Sequence, residues 1–143
     1  MFIEYQTELG IDLCFQGFEE ELETLPGRYS TPGGALYVYE SEGKPVAIGG
    51  LRDIGEGCCE LKRMYVRPEA RGKGLGKDLT LRLMDRAALL GYQRIRLDTL
   101  KRLGPALKMY ESLGFNRIQP YNFNPELDIV YLELGISRES LLA

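Results

Sequence analysis

The chain has 143 residues, 44% of them hydrophobic and 27% charged, the size and balance of one globular domain. Its net charge of −3 gives a nucleic-acid partner no overall support, and no apolar run is long enough to cross a bilayer. There is no histidine, which removes the usual general base, the Ser-His-Asp triad and most zinc sites together, so no metal is expected.

In chain order, residues 2–9 carry Phe2, Tyr5 and Leu9 on one side of a predicted helix. Residues 18–25 predict a second short helix, with Phe18, Leu22 and Leu25 inward and Pro26-Gly27 as its stop. Its glutamates read as a solvated face. After the turn at Pro32-Gly33-Gly34, strands are expected at 35–40, 46–51 and 59–66, joined by a hairpin turn at 41–44 and a turn at 55–57. These three form an antiparallel meander. Cys58 and Cys59 fall at its last strand and should point to opposite faces. With Cys14 the cysteines are odd in number, so no disulfide framework is expected. A reducing cytoplasm is the expected compartment, as no signal-peptide pattern opens the sequence.

A helix over 75–90 sets Leu75, Leu79, Leu83, Ala87 and Leu90 along one stripe, and Gly91 stands where a left-handed C-cap belongs. A strand follows at 94–99. A helix over 105–113 carries Ala106, Met109, Tyr110 and Leu113 at helical spacing, closed by Gly114. A last pair of strands is expected at 115–118 and 129–134, with a loop from Pro120 to Pro125 between them. The order predicts one domain over residues 1–143, a mixed α/β arrangement around a single sheet.

The strand ending at Val66 runs through a glycine-rich turn straight into the helix at Leu75. Such a turn aims backbone N–H groups at one point, at the positive end of a helix dipole. Arg71, Lys73 and Lys77 add positive charge there, so a phosphate or pyrophosphate is the expected guest. A Walker A loop is excluded, because Arg71 stands where its first glycine belongs and Asp78 where its hydroxyl belongs. The spacing of Gly72, Gly74 and Gly76 also departs from the Rossmann fingerprint.

The pattern that fits is Arg-x-x-Gly-x-Gly, filled by Arg71, Gly74 and Gly76, and it resembles the coenzyme A pyrophosphate loop of the GNAT superfamily of N-acetyltransferases. A second stretch, Tyr110-x-x-x-Gly114-Phe115, resembles that superfamily's other signature. The order of elements also agrees with the GNAT fold, a mixed, mostly antiparallel sheet flanked by helices. Two departures stand out. The family's opening strand has no obvious counterpart, so it is either missing, dispensable or supplied by a partner chain, and an exposed sheet edge would favour a homodimer. Leu103 occupies a position where many relatives place an Asn that touches coenzyme A.

The resemblance implies acetyl-CoA as acyl donor, lying where two parallel strands splay near Met64–Val66 and Leu97–Thr99. Met64, Val66 and Thr99 would meet the pantetheine arm, with Val66 acting through its main chain. Amides from Arg71 through Gly72, Lys73, Gly74, Leu75 and Gly76 to Lys77 would hold the pyrophosphate. The alternative is that these glycines only allow a tight turn. Tyr110 would protonate the departing thiolate, a role that suits a phenol with a pKa of about 10; otherwise it is a core aromatic. Glu60 would take the amine proton through water as a half-buried carboxylate; otherwise it is a surface residue paired with Lys62 or a neighbouring strand. Tyr37, Arg63, Tyr121 and Asn122 are the candidates for the acceptor side, although an arginine on a strand is also a common surface ion-pair partner.

The reaction implied is direct attack by a primary amine of a small molecule or amino acid, without an acyl-cysteine intermediate. Two alternatives stay open at this stage, a protein (lysine or N-terminal) acetyltransferase and a non-catalytic acyl-CoA-binding regulatory module.

Overall fold

The computed structural model describes residues 33–122 and 128–136. The helices expected at 2–9 and 18–25, Cys14, the question of an opening strand and the end of the 120–125 loop lie outside these residues. Strands β1 (Ala35–Ser41), β2 (Lys44–Gly55) and β3 (Cys58–Val66) lead through a 3-10 turn (Pro68–Ala70) to helix α1 (Leu75–Leu89). Then follow β4 (Arg94–Leu100), α2 (Gly104–Ser112), β5 (Asn116–Ile118) and β6 (Ile129–Gly135). The spatial order is β1-β2-β3-β4-β6-β5. Among the described strands only β3 and β4 pair in parallel; the other neighbours are antiparallel.

The expected meander is present, with β2 longer than its hydrophobic run because polar residues at both ends still pair with neighbours. Glu42 and Gly43 turn the first hairpin with φ of 52° and 77°, the two positive values that match the twist of the flanking strands. Helix α1 ends as its sequence dictates, with Gly91 at φ 89°. Its stripe of Leu79, Leu83 and Ala87 is wholly buried. These residues pack with Leu51, Leu61, Ile95, Leu97 and Leu132 of the sheet, and with Leu107 and Tyr110 of α2, in one core.

An irregularity sits in the middle of β3. Ile48 pairs with Tyr65 and Gly50 with Lys62, so Arg63 and Met64 together oppose the single residue Gly49. This is a β-bulge, and Arg63 takes a left-handed φ of 59° within it. Gly49 lets the side chains approach closely: a Cβ there would stand 2.5 Å from Met64 Sδ and 3.0 Å from Leu79 Cδ2, so either would have to give way.

Candidate active site

β3 and β4 pair over only three positions, Cys58 with Arg94, Cys59 with Ile95 and Glu60 with Arg96. Beyond Glu60, β3 keeps its bonds to β2 as far as Val66, and β4 keeps its bonds to β6 as far as Leu100. The facing edges are therefore parted, and backbone groups on them have no strand partner across the gap. The Arg67 N–H bonds to the Val46 carbonyl on β2 at 2.8 Å. Strand alternation then turns the N–H and C=O of Val66, and those of Met64 two residues back, to the opposite edge, toward the gap. Thr99 is buried on the facing stretch of β4.

Helix α1 begins at the mouth of this gap. A Cβ on Gly76 would lie 3.9 Å from Val66 Cγ2, so the first turn rests directly on the strand end. Gly72 and Gly74 take φ of 79° and 78°, and Gly74 is the N-cap. Asp78 N–H makes the first helical bond, to the Gly74 carbonyl at 3.0 Å. The amides of Gly74, Leu75, Gly76 and Lys77 precede it and have no acceptor within the helix. Arg71 differs: its amide bonds to the Pro68 carbonyl at 3.3 Å, and its side-chain Nε donates to the Val66 carbonyl at 2.9 Å. Its guanidinium also stacks 5.7 Å from the Tyr65 ring centroid. Arg71 thus braces the loop against β3, while Lys73 and Lys77 are exposed.

Glu60 differs from the half-buried carboxylate expected from the sequence, being only 1% exposed. Pairing registers align Arg52, Glu60, Arg96 and Glu133 in one row across four strands. Their charges alternate along the row. Arg52 Nη2 lies 2.8 Å from Glu60 Oε1, and Arg96 Nε lies 2.8 Å from Glu133 Oε1. The Tyr121 hydroxyl donates to Glu60 Oε2 at 2.6 Å. Lys62 Nζ stands 4.0 Å from that same oxygen and 3.4 Å from Asp98 Oδ2. The row lies on the sheet face opposite the helices, since Leu61 and Leu97, next to Glu60 and Arg96 in the chain, point into the core.

Tyr121 and Asn122 reach this face from the segment after β5. The Tyr121 ring packs edge-on against Tyr131, 5.3 Å between centroids, and Arg96 lies 5.5 Å from its centroid. The Tyr131 hydroxyl meets Asn122 Oδ1 at 3.0 Å, and Asn122 Nδ2 donates to Asp98 at 3.4 Å. Burial, followed by the nearby Glu60 charge, pushes the Tyr121 hydroxyl far above the usual phenol range. Tyr121, Asn122 and Glu60 are thus gathered in one place. Arg63 is no surface arginine, being 2% exposed at the bulge. Tyr37 lies apart, in a groove of about 570 Å³ between β1 and α1 with Arg82, Arg86 and Leu89. Sequence reasoning missed Arg52, Lys62 as a gap-bridging cation, and Asp98. The alternation of charge along β3 and β4 was the available signal.

Tyr110 is 6% exposed on α2, which packs against β4, and its ring meets Phe115 edge-on at 5.7 Å. Leu103 is the N-cap of α2 and offers no side-chain hydrogen bond to the helix. Cys58 and Cys59 are free thiols, both buried, and burial pushes the Cys59 thiol well up.

A sheet parted along its parallel seam, with a glycine-rich helix N-terminus at the opening, defines the acyl-CoA N-acyltransferase class of fold. An acetyltransferase of Staphylococcus aureus superposes with a TM-score of 0.77 at 21% identity, over 94% of this chain and 90% of that one. The chain belongs to the acetyltransferase (GNAT) family, whose sequence profile matches residues 4–115. It is 40% identical over 137 residues to an uncharacterised N-acetyltransferase of Schizosaccharomyces pombe, covering 94% of this chain and 84% of the relative. It is also 40% identical over 88 residues to the N-acetylaspartate synthetase of Xenopus tropicalis, which is 61% of this chain but only 32% of that protein. The chain is therefore a GNAT N-acetyltransferase.

Proposed function

We propose that the protein transfers acetyl from acetyl-CoA to the primary amine of a small molecule, an amino acid being the favoured class, by direct attack. The observation that carries this reading is the juxtaposition of the parted β3–β4 edges with the free amides of the α1 N-terminus. The amides of Gly74 to Lys77 and the flanking cations Lys73 and Lys77 suit a pyrophosphate. The gap-facing groups of Met64 and the gap-facing N–H of Val66 suit the amides of a pantetheine arm, which adds to the sheet as a strand would. A gap-facing N–H is also suited to polarising the thioester carbonyl as it becomes an oxyanion.

In this reading Tyr110 gives its proton to the departing thiolate and Glu60 receives the proton shed by the amine. The burial of both Cys58 and Cys59 supports direct transfer over a cysteine-bound intermediate, and burial holds the Cys59 thiol in its protonated form, a poor nucleophile. The similarity to N-acetylaspartate synthetase supports an amino-acid acceptor.

Two measurements test the proposal. Coenzyme A at a hundredfold over its dissociation constant should stabilise the fold by about 2.7 kcal/mol. Free thiol release from acetyl-CoA should then appear with at least one member of an amine panel made of the common amino acids and polyamines. No thermal shift at millimolar coenzyme A would sink the donor assignment; thiol release only with peptides would move the acceptor to proteins.

A further inference from the structure

Glu60 is closed off from solvent. It is 1% exposed, Arg52 occupies Oε1 through two nitrogens at 2.8 and 2.9 Å, and Tyr121 occupies Oε2 at 2.6 Å. An amine entering from solvent has no open carboxylate oxygen to meet. Of the groups around Glu60, Arg52 and Lys62 only donate. The Tyr121 hydroxyl both donates and accepts, and it already points its proton at Oε2.

We propose that Tyr121 is a catalytic proton relay: the acceptor amine passes its proton to the Tyr121 oxygen while the phenolic proton moves to Glu60 Oε2. The inference rests on the reading of Glu60 as the base. The step balances. The amine nitrogen bonds to the thioester carbonyl carbon, and the carbonyl electron pair moves onto oxygen. The nitrogen, now a far stronger acid, loses its proton to Tyr121, which remains a neutral phenol because it gives one proton as it takes another. Collapse of the intermediate breaks the carbon–sulfur bond, and the thiolate takes a proton from Tyr110. Burial and the adjacent carboxylate disfavour a phenolate, which suits a relay that never carries net charge. Edge-on packing of the Tyr121 ring against Tyr131, with the Arg96 guanidinium 5.5 Å from its centroid, holds the hydroxyl in position.

The test compares Tyr121→Phe, Glu60→Gln and the double variant in thiol release from acetyl-CoA, using the most active amine of the panel above. Phe keeps the ring contacts and removes only the hydroxyl. Tyr121→Phe should lower kcat by about a hundredfold while leaving the KM for acetyl-CoA and the thermal shift with coenzyme A unchanged. The double variant should be no slower than Glu60→Gln, because both lesions cut one path. Losses that multiply in the double variant, or a Tyr121→Phe enzyme within threefold of wild type, would overturn the relay. An active Glu60→Gln enzyme would overturn the base reading instead, and the relay with it. A panel without turnover counts against both. If Tyr121→Phe fails to fold, a proton inventory on the wild-type enzyme decides: a rate curved in deuterium fraction supports two protons in flight, and a straight line refutes them.

Discussion

Lys62 Nζ lies 3.4 Å from Asp98 Oδ2, bridging β3 and β4 one step past the level at which their backbones separate. Both side chains are largely buried. The bridge closes the inner end of the gap on the face opposite the helices. Removing one partner leaves an uncompensated buried charge. Lys62→Met should therefore destabilise the protein by about 3 kcal/mol in urea unfolding, and Lys62→Met with Asp98→Leu by distinctly less.

Gly49→Ala should cost about 1–3 kcal/mol, because the new methyl meets Met64 and Leu79 at the bulge. The variant should also weaken coenzyme A binding, since Met64 presents its backbone to the gap. Isothermal titration with coenzyme A alongside chemical unfolding separates the two effects.

Leu103→Asn should stabilise the fold by about 1 kcal/mol by supplying the side-chain cap that α2 lacks. A rise in melting temperature without ligand is the expected result. An unchanged or lower value would mean that the leucine contributes more by packing than a cap contributes by hydrogen bonding.

Tyr110→Phe should lower turnover by about a hundredfold while the ring keeps its place against Phe115, leaving coenzyme A affinity intact. Steady-state kinetics together with a binding titration check the split. Equal losses in both would reduce Tyr110 to a packing residue.

The Tyr39 hydroxyl donates to Asp78 Oδ2 at 2.7 Å. Burial and this bond push Tyr39 up to about 12. The same bond, with that from Arg82, holds the Asp78 carboxyl below its ordinary range. Neutral Tyr39 thus contributes stability below its unfolded pKa of about 10, and that contribution is lost as pH rises through about 12. The Asp78 contribution is present above about pH 4 and is lost as pH falls through its depressed folded value. In an ultraviolet titration, Tyr39→Phe should delete one late-titrating phenol of the nine tyrosines and flatten the alkaline loss of stability.

From β1 onward, the element order and the glycine loop were legible in the sequence because each rests on local signals: alternation, helical stripes, turn residues and two short motifs. What was not legible depended on partners remote in the chain. The bulge at Arg63 exists because β3 gains a residue against β2, and only the register reveals that Gly49 is the residue opposite. The burial of Glu60 comes from Arg52, 8 residues away, and Tyr121, 61 residues away. From the sequence, Tyr37 is expected with Tyr121 and Asn122 on the acceptor side. Its pairing with Gly49 puts it on the helix side of the sheet, away from both.

Because the seam between β3 and β4 spans only three residue pairs, the sheet amounts to two leaves bound along a short spine, β1-β2-β3 on one side and β4-β6-β5 on the other. In the proposed reading, a carrier lodged between the leaves laces their loose margins together, and its departure unlaces them. Amide exchange along 61–66 and 97–100 should therefore slow when the carrier is bound, which makes the opening of the spine's free end a natural candidate for the step that times each cycle.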